Sequence, residues 1–159
     1  MTTSYHHVLK LIDTANGKGV MSLADIQPNT VIFEFKGNLY NRKNLNVDSP
    51  YYLQIGPDKY IGPSGDLDDY INHSCNPNCF LYIVGSRAFL KSLYLIKSNT
   101  EITFDYSTSS TETTDQWTMN CNCGTVNCRK QISGFNNLTE QQKEFYKNII
   151  PDYLKEGKY

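Results

Sequence analysis

The segment YINHSCNPNC, residues 70–79, gathers hydrogen-bonding and metal-binding side chains over a few positions. Asn72 and His73 can donate and accept hydrogen bonds, and the thiols of Cys75 and Cys79 can bind a metal. The segment is too polar for a core strand and too poor in charge for a solvated face. It predicts a loop that binds a ligand, a metal or both.

The cysteines of the chain number 5, an odd count that does not suit a disulfide framework. Cys121, Cys123 and Cys128 form a C-x-C-x4-C motif within CNCGTVNCRK. Three thiolates this close can converge on one zinc ion, which prefers about four sulfur or nitrogen ligands in a tetrahedron. Either Cys75 or Cys79 can supply the fourth ligand and so clip two distant segments together. The alternative is a set of free, partly buried cysteines.

The composition is that of one globular domain. The chain has 159 residues, of which 39% are hydrophobic and 13% aromatic, enough for a single core. Its 15 Lys and Arg against 16 Asp and Glu leave a net charge of -1, so we expect no direct nucleic-acid partner. No window reaches the roughly 18 apolar residues of a membrane span. We therefore expect a soluble, intracellular protein without a membrane partner.

The elements that must position these side chains are mostly short strands. Runs rich in β-branched and aromatic residues predict strands at 30–35, 51–55, 78–84 and 87–97. The segment ANGKGV, residues 15–20, predicts a tight turn in which glycine takes a positive φ or lets a ligand approach closely. The fold class is therefore mainly β with few helices.

Two segments depart from this pattern. The segment STSSTETT, residues 107–114, has no apolar member and predicts an exposed, mobile tether. The segment TEQQKEFYKNII, residues 139–150, predicts a helix that begins at the N-cap Thr139 and ends before Pro151. Gln142 is the expected capping-box partner of Thr139.

Four motifs, in this order, resemble the conserved blocks of one family. NGKGV, INHSCNPNC, EITFDY at 101–106 and CNCGTVNCRK resemble SET-domain protein-lysine methyltransferases with a post-SET zinc segment. The combination is specific, and the resemblance covers roughly residues 8 to 135. It implies small curved β-sheets around a knot-like crossing that threads the NHSC and TFDY segments against each other. The implied division is a SET domain at 1–106, a polar tether at 107–118, a post-SET zinc segment at 119–135 and a C-terminal helical tail at 136–159.

The resemblance also implies the bound groups. Zinc would be held by Cys75, Cys121, Cys123 and Cys128, which leaves Cys79 as a core residue. S-adenosylmethionine would be held at its adenosyl part by the Asn-His pair of the 70–79 loop and at its methionine end by the main chain of the GKGV segment. The implied cofactor contacts are therefore Lys18, Gly19, Tyr51, Asn72, His73 and Ile132.

Two of these cofactor contacts rest on position alone. Tyr51 matches an aromatic residue that packs near the cofactor, although Tyr52 lies one register step away and would face the opposite side. Ile132 matches an apolar post-SET residue that covers the adenine.

Methyl transfer to a lysine requires the neutral amine. Removing the proton at pH 7 from a side chain with a pKa of about 10.4 costs roughly 4 to 5 kcal/mol in water. An apolar channel lowers that cost by disfavouring the ammonium, and a positioned hydroxyl can orient the free amine. The resemblance assigns that hydroxyl to Tyr106, whose alternative role is that of a core tyrosine ending a strand.

Two aromatic residues match positions of the lysine channel. Phe104 occupies a position that is Phe or Tyr in the family, and the absence of a hydroxyl there implies di- or trimethylation. Phe35, in EFKG, stands where the family often has a tyrosine, so one polar contact to the substrate amine is missing.

The substrate and one further function stay open at this point. The acidic segment GDLDDY, residues 65–70, favours a basic peptide such as a histone tail by steering, or is simply a solvated loop. The alternative to an enzyme is a SET-fold module that has lost efficient catalysis and binds peptides, for which Phe35 is the one positive sign. Binding of S-adenosylmethionine would separate the two functions.

Overall fold

The structure is a computed structural model that describes residues 5–45, 51–111 and 117–155. Short strands paired in small sheets form most of it. The strands are β1 Leu9–Thr14, β2 Gly17–Ser22, β3 Val31–Glu34, β4 Leu39–Asn41, β5 Leu53–Gln54, β6 Lys59–Ile61, β7 Asn72–His73, β8 Cys79–Val84, β9 Arg87–Ser92, β10 Thr103–Phe104, β11 Met119–Asn120 and β12 Gln131–Ile132.

The strands pair mostly with near neighbours in sequence. The sheets are β1-β2, β3-β9-β8, β4-β6-β5, β10-β7 and β11-β12. The turn between β1 and β2 uses Gly17 at a φ of 101°, a left-handed conformation that glycine adopts without steric cost. The tight turn predicted at 15–20 is therefore confirmed, and it closes an antiparallel hairpin.

The main core lies under the three-stranded sheet β3-β9-β8. Along β8 and β9, alternate side chains point inward, because successive residues of a strand face opposite sides. The inward residues pair across the strands, as Leu81 does with Leu90. The most deeply buried apolar side chains of this core are Val20, Ile26, Ile32, Leu81, Leu90, Ile96 and Ile102.

The pairing of β7 with β10 brings together two segments that carry candidate site residues. These strands are parallel, with Asn72 opposite Thr103 and His73 opposite Phe104. The strands lie far apart in sequence, so the pairing brings the NHSC segment beside the TFDY segment. The fold class predicted from the sequence, mainly β with few helices, is confirmed; the threaded crossing itself stays a prediction.

The predicted strand positions are confirmed, but two predicted lengths are wrong. The strand expected at 51–55 is limited to Leu53–Gln54. The strand expected at 87–97 ends at Ser92, where the Leu93 amide donates to the Asn78 carbonyl and the chain turns. Apolar residues continue past this turn, so composition alone overestimated the length.

The expectation of an exposed tether after Tyr106 is wrong for the residues that the structure describes up to position 111. Ser107, Thr108, Ser109 and Ser110 are all buried. The hydroxyls of Ser107, Thr108 and Ser109 donate to backbone carbonyls; Ser107, for instance, donates to the Ser133 carbonyl at 2.5 Å. A hydroxyl-rich segment can therefore pack, because its side chains bond to backbone groups. Residues 112–116 of the predicted tether lie outside the described residues.

The C-terminal helix begins as predicted and ends early. Helix α1 is Glu140–Tyr146; Thr139 is its N-cap, and the capping box with Gln142 is present. A second short helix, α2 Asp152–Lys155, follows Pro151. Buried side chains of this region form a separate apolar cluster: Phe135, Leu138, Tyr146, Ile150 and Leu154.

Short 3-10 helices complete the described elements, at Tyr5–Val8, Arg42–Asn44, Leu67–Tyr70, Tyr106–Thr108 and Phe135–Asn137. Within the described residues, every helix is too short or too polar to cross a lipid bilayer.

Candidate active site and metal centre

The four cysteines predicted to bind zinc converge in space. The sulfur atoms of Cys75, Cys121, Cys123 and Cys128 all lie within 4.8 Å of one another. The Cys121 sulfur is 3.7 Å from the sulfur of Cys75 and 3.7 Å from that of Cys128. Tetrahedral zinc with Zn–S bonds of about 2.3 Å separates its sulfur atoms by roughly 3.8 Å. The donor set therefore fits zinc in both type and spacing.

The thiols of this cluster differ in acidity. Burial raises the pKa of Cys75 and of Cys121, since a thiolate is costly to bury alone. Burial also acts on Cys123, but hydrogen bonds from the Thr125 hydroxyl and from backbone groups outweigh it and lower the pKa of Cys123 to about 6. The Cys123 thiol therefore ionises more readily than those of Cys75 and Cys121, whose thiolates a bound cation would stabilise.

Cys79 lies apart from this cluster. It heads β8, is 1% exposed, and its pKa is raised by burial. Among the candidate ligands in the 70–79 loop, the structure therefore selects Cys75, and Cys79 is a core residue as expected.

The two aromatic residues predicted for the lysine channel, Phe104 and Phe35, lie together with the candidate catalytic residue Tyr106. The Phe104 ring packs against the Tyr106 ring with centroids 5.0 Å apart, and the Phe35 ring meets the Phe104 ring edge-on at 6.4 Å. Phe104 is 4% exposed and Phe35 is 6% exposed. These rings form a buried apolar group, and an ammonium placed beside it would be disfavoured by desolvation.

The Tyr106 hydroxyl is held in one direction. It donates to the Ile71 carbonyl at 2.7 Å, which leaves the oxygen lone pairs free to accept from another N–H group. Burial, with a smaller effect of the Glu101 carboxylate, raises the pKa of Tyr106, so the phenol stays neutral at physiological pH. Tyr106 is therefore suited to orient an amine and is not suited to remove its proton.

His73 connects this tyrosine to the cysteine cluster. Its Nδ1 accepts from the Tyr106 amide at 3.2 Å, so the ring proton is assigned to Nε2, which lies 3.2 Å from the Cys75 sulfur. Burial lowers the pKa of His73 to about 4, despite an opposing effect of Asp105, so the imidazole is neutral at pH 7. One side chain thus orients both a candidate metal ligand and the backbone of the candidate catalytic residue.

Three of the residues predicted to hold the cofactor meet: Lys18, Gly19 and Asn72. The Asn72 amide donates to the Lys18 carbonyl at 3.0 Å and to Glu101 Oε1 at 2.7 Å. A Cβ on Gly19 would lie 2.5 Å from Glu101 Oε1 and 2.9 Å from the Asn72 amide nitrogen, so a side chain there would have to displace these groups. The sequence analysis assigned no role to Glu101, which stands in the EITFDY motif.

The positions of Tyr51 and Ile132 give less support for a cofactor contact than those of Lys18, Gly19 and Asn72. Tyr51 is 44% exposed, and its ring lies 6.0 Å from that of Tyr70, two residues before Asn72. Tyr52 pairs with Tyr40 instead, so the two neighbours do face different partners. Ile132 is 3% exposed in the β11-β12 pair of residues 117–134, here called the cysteine segment.

A buried ion pair next to Tyr106 was missed by the sequence analysis. The Arg129 guanidinium donates two hydrogen bonds to the Asp105 carboxylate, at 2.7 and 2.6 Å. The Tyr146 hydroxyl of α1 donates to the same carboxylate at 2.8 Å. The available signal was local: Asp105 precedes the candidate catalytic tyrosine and Arg129 follows Cys128 in the sequence. No sequence signal pointed to Tyr146.

The acidic segment 65–70 is largely occupied with its own loop. The Asp69 carboxylate accepts from the amides of Ser64 and Gly65, and Asp68 accepts from the Lys36 amide at 2.8 Å. Asp66 caps the 3-10 helix Leu67–Tyr70. These bonds favour a structural role for the carboxylates over a dedicated peptide-binding role.

Comparison with known proteins agrees with this arrangement. A family model described as "SET domain" matches residues 17–107. Over 134 residues the chain is 29% identical to "Histone-lysine N-methyltransferase, H3 lysine-36 specific" of Coccidioides immitis (strain RS), a match that covers 74% of this chain and 13% of that relative.

Solved structures give the same result. The crystal structure of KRYPTONITE in complex with mCHG DNA and SAH superposes with a TM-score of 0.67 at 28% identity, covering 77% of this chain and 28% of that one. A KRYPTONITE complex with mCHH DNA, H3(1-15) peptide and SAH superposes with a TM-score of 0.66 at 27% identity, covering 79% of this chain and 29% of that one.

The fold and the site agree with these matches. The fold consists of small paired sheets with a parallel contact between β7 and β10, and the site combines aromatic side chains with four clustered thiols. Since the SET model matches more than half of the residues, the chain belongs to the SET-domain family. It spans only a small part of the length of the curated relative and of the KRYPTONITE chains.

Proposed function

We propose that this chain is an S-adenosylmethionine-dependent protein-lysine N-methyltransferase. The observation that carries the proposal is the Tyr106 hydroxyl, held by the Ile71 carbonyl beside the Phe104 ring. Tyr106 stands two residues after β10, the strand that pairs in parallel with Asn72 and His73, the residues that match the cofactor-binding pair. SAH, the product that remains after S-adenosylmethionine gives up its methyl group, is bound in both KRYPTONITE complexes and supports this choice of cofactor.

S-adenosylmethionine supplies a methyl group on a sulfonium, an electrophile that a neutral amine attacks in line. The buried rings of Phe35 and Phe104 favour that neutral form by desolvation, so the lysine loses its proton to water. The Tyr106 oxygen then accepts an N–H bond from the amine. This contact points the nitrogen lone pair along one direction, which is catalysis by orientation.

Four thiolates would hold zinc: Cys75, Cys121, Cys123 and Cys128. When bound, the ion would cross-link the 70–79 loop to residues 121–128. It would take no part in methyl transfer. The residues that follow Cys128 include Ile132, which we propose covers the adenine.

A lysine in a basic tail such as a histone is the proposed substrate. The curated relative is named for H3 lysine-36, and one KRYPTONITE complex contains an H3(1-15) peptide. A histone substrate implies an intracellular site of action. The KRYPTONITE complexes contain DNA, but a net charge of -1 gives this chain no excess of cations, and we expect direct DNA binding to be weak.

The test is methyl transfer from labelled S-adenosylmethionine to core histones and to a whole-cell extract. We expect Tyr106→Phe to lower kcat by about 100-fold or more, because the amine loses its acceptor. Tyr82→Phe is the matched control, since Tyr82 lies on the outer face of β8 and is 47% exposed. A wild-type protein that neither binds S-adenosylmethionine nor transfers a methyl group would instead be the peptide-binding module, and the proposal would fail.

Phe104→Tyr tests the assignment of product. A hydroxyl at this buried position adds a hydrogen-bonding group to the wall beside Tyr106 and leaves less room for a methylated amine to turn. We expect the wild type to yield di- or trimethyl-lysine and the variant to shift toward monomethyl-lysine, read by mass spectrometry of the product peptide. Identical methylation states from both proteins would contradict the role of Phe104.

A further inference from the structure

We infer that Tyr146, in the C-terminal helix α1, is a positioning residue for the zinc-binding segment and for Tyr106. It acts through the buried pair Asp105 and Arg129. The effect on catalysis rests on the proposed function, whereas the effect on zinc retention does not.

Asp105 is the centre of the contact. Its side chain is 0% exposed and therefore depends on protein donors. One oxygen accepts from the Arg129 guanidinium at 2.6 Å and from the Ser107 amide at 3.0 Å. The other accepts from Arg129 at 2.7 Å and from the Tyr146 hydroxyl at 2.8 Å. His73 Nδ1 lies 3.5 Å away and is neutral, so it contributes no charge at pH 7.

Arg129 carries this contact to the cysteine cluster. Its backbone amide donates to the Cys75 sulfur at 3.4 Å, while its guanidinium is held by Asp105. Arg129 also follows Cys128 directly in the chain. A change in the orientation of the Asp105 carboxylate therefore shifts Arg129. Arg129 contacts one candidate zinc ligand, Cys75, and directly follows another, Cys128, in the chain.

Charge explains why these donors matter. Zinc with four thiolates has a net charge of about -2, and Asp105 adds another negative charge beside it. Arg129 is the cation that faces both, and its side chain is only 14% exposed. The Tyr146 hydroxyl stabilises the carboxylate without changing this charge balance. Removing the Tyr146 hydroxyl leaves one oxygen of the buried Asp105 carboxylate with a single donor. Such a loss typically weakens the other hydrogen bonds of the network.

The Tyr146 hydroxyl can be removed without removing its ring. The ring belongs to the apolar cluster of the C-terminal region, and a phenylalanine ring would fill the same space. Tyr153 supplies a matched control in the same C-terminal region. Its hydroxyl bonds to the carbonyls of Ser109 and Gln54, whereas that of Tyr146 bonds to Asp105.

The test compares Tyr146→Phe with Tyr153→Phe in the full chain loaded with zinc. We expect zinc release to a chromogenic chelator to be about tenfold faster for Tyr146→Phe than for Tyr153→Phe, since a hydrogen bond to a buried charge is lost. We also expect Tyr146→Phe to lower kcat about tenfold, with the KM for the peptide within about twofold of wild type. Thermal unfolding of both variants shows whether a general loss of stability accounts for the difference.

A second pair of variants guards against a Tyr146→Phe protein that does not fold. Arg129→Lys breaks the buried two-bond pair, and Arg87→Lys breaks the exposed two-bond pair with Glu34. Faster zinc release is expected for the first only. Equal release and equal kcat within either matched pair overturn the inference, as does a wild type that binds no zinc. A wild type that retains zinc but transfers no methyl group refutes the proposed function, and the zinc measurements still decide this inference.

Discussion

The β-sheet body and the cysteine segment of this molecule are stabilised in different ways. The body, from β1 to β10, surrounds a core of apolar side chains, many of them fully buried. In residues 117–134, by contrast, the buried apolar side chains are Cys121 and Ile132. The body can hold its shape by apolar burial, whereas the cysteine segment depends on what its thiols bind.

The two regions also differ in how they use charge. On the outer face of the body, Arg87 donates two hydrogen bonds to Glu34 with its own side chain 65% exposed. At the junction with the cysteine segment, Arg129 also donates two hydrogen bonds, from Nη1 and Nη2, to the fully buried Asp105. Solvent screening leaves the exposed pair with little effect on stability, while breaking a buried pair costs about 3 to 5 kcal/mol. A two-bond pair between an arginine and a carboxylate therefore has different consequences in the two regions.

Zinc removal should have the largest effect. We expect a strong chelator to reduce methyl transfer to below about one hundredth, because the cysteine segment loses its main constraint. The body should keep a cooperative thermal transition. Hydrogen exchange at residues 117–134, measured before and after chelation, is the direct readout. Unchanged protection of these amides after zinc is lost would show that the cysteine segment does not depend on the metal.

A core truncation should reverse the pattern. Leu81 is 2% exposed at the centre of the body, and we expect Leu81→Ala to lower the free energy of unfolding by about 2 to 5 kcal/mol. Leu39→Ala is the control at a position that is 58% exposed, with an expected change of about 0.5 kcal/mol or less. Urea unfolding of the zinc-loaded proteins measures both. Equal losses at the two positions would mean that the apolar core is not what holds the body.

Acid should reveal the smallest effect, that of the exposed pair. Hydrogen bonds from Arg87, partly opposed by burial, lower the pKa of Glu34 to about 2 from its usual 4.5. The stabilisation from Glu34 is therefore complete above pH 4.5 and is lost as the pH falls toward 2.

The corresponding variant is Glu34→Gln. Its free energy of unfolding should lie below that of the wild type by about 1 kcal/mol or less at pH 6, and the gap should narrow toward pH 3. Zinc loss in acid affects both proteins alike, so the difference between them isolates Glu34. A gap that stays constant with pH would show that Glu34 contributes through packing.

Much of the site was predictable because its chemistry is bound to residue type and spacing. Thiols at C-x-C-x4-C spacing predict a metal site, and the structure brings their sulfur atoms together with that of Cys75. The capping box of α1 was predictable for a similar reason, since Thr139 and Gln142 interact within one turn. The prediction for the polar segment after Tyr106 was wrong, because Ser107 and Ser110 bond to Ser133 and Phe135, which are distant in sequence.

The sequence by itself determined the family, the mainly β class and the set of candidate ligands, because these follow from local patterns and from which atoms can bind metal or cofactor. Only the tertiary structure decided that Asp105, Arg129 and Tyr146 form one buried contact. It also decided that the 65–70 carboxylates bond to their own loop. The physical reason is that a carboxylate, a guanidinium or a phenol has the same chemistry everywhere in a sequence. Its effect depends on burial and on partners that come from distant segments.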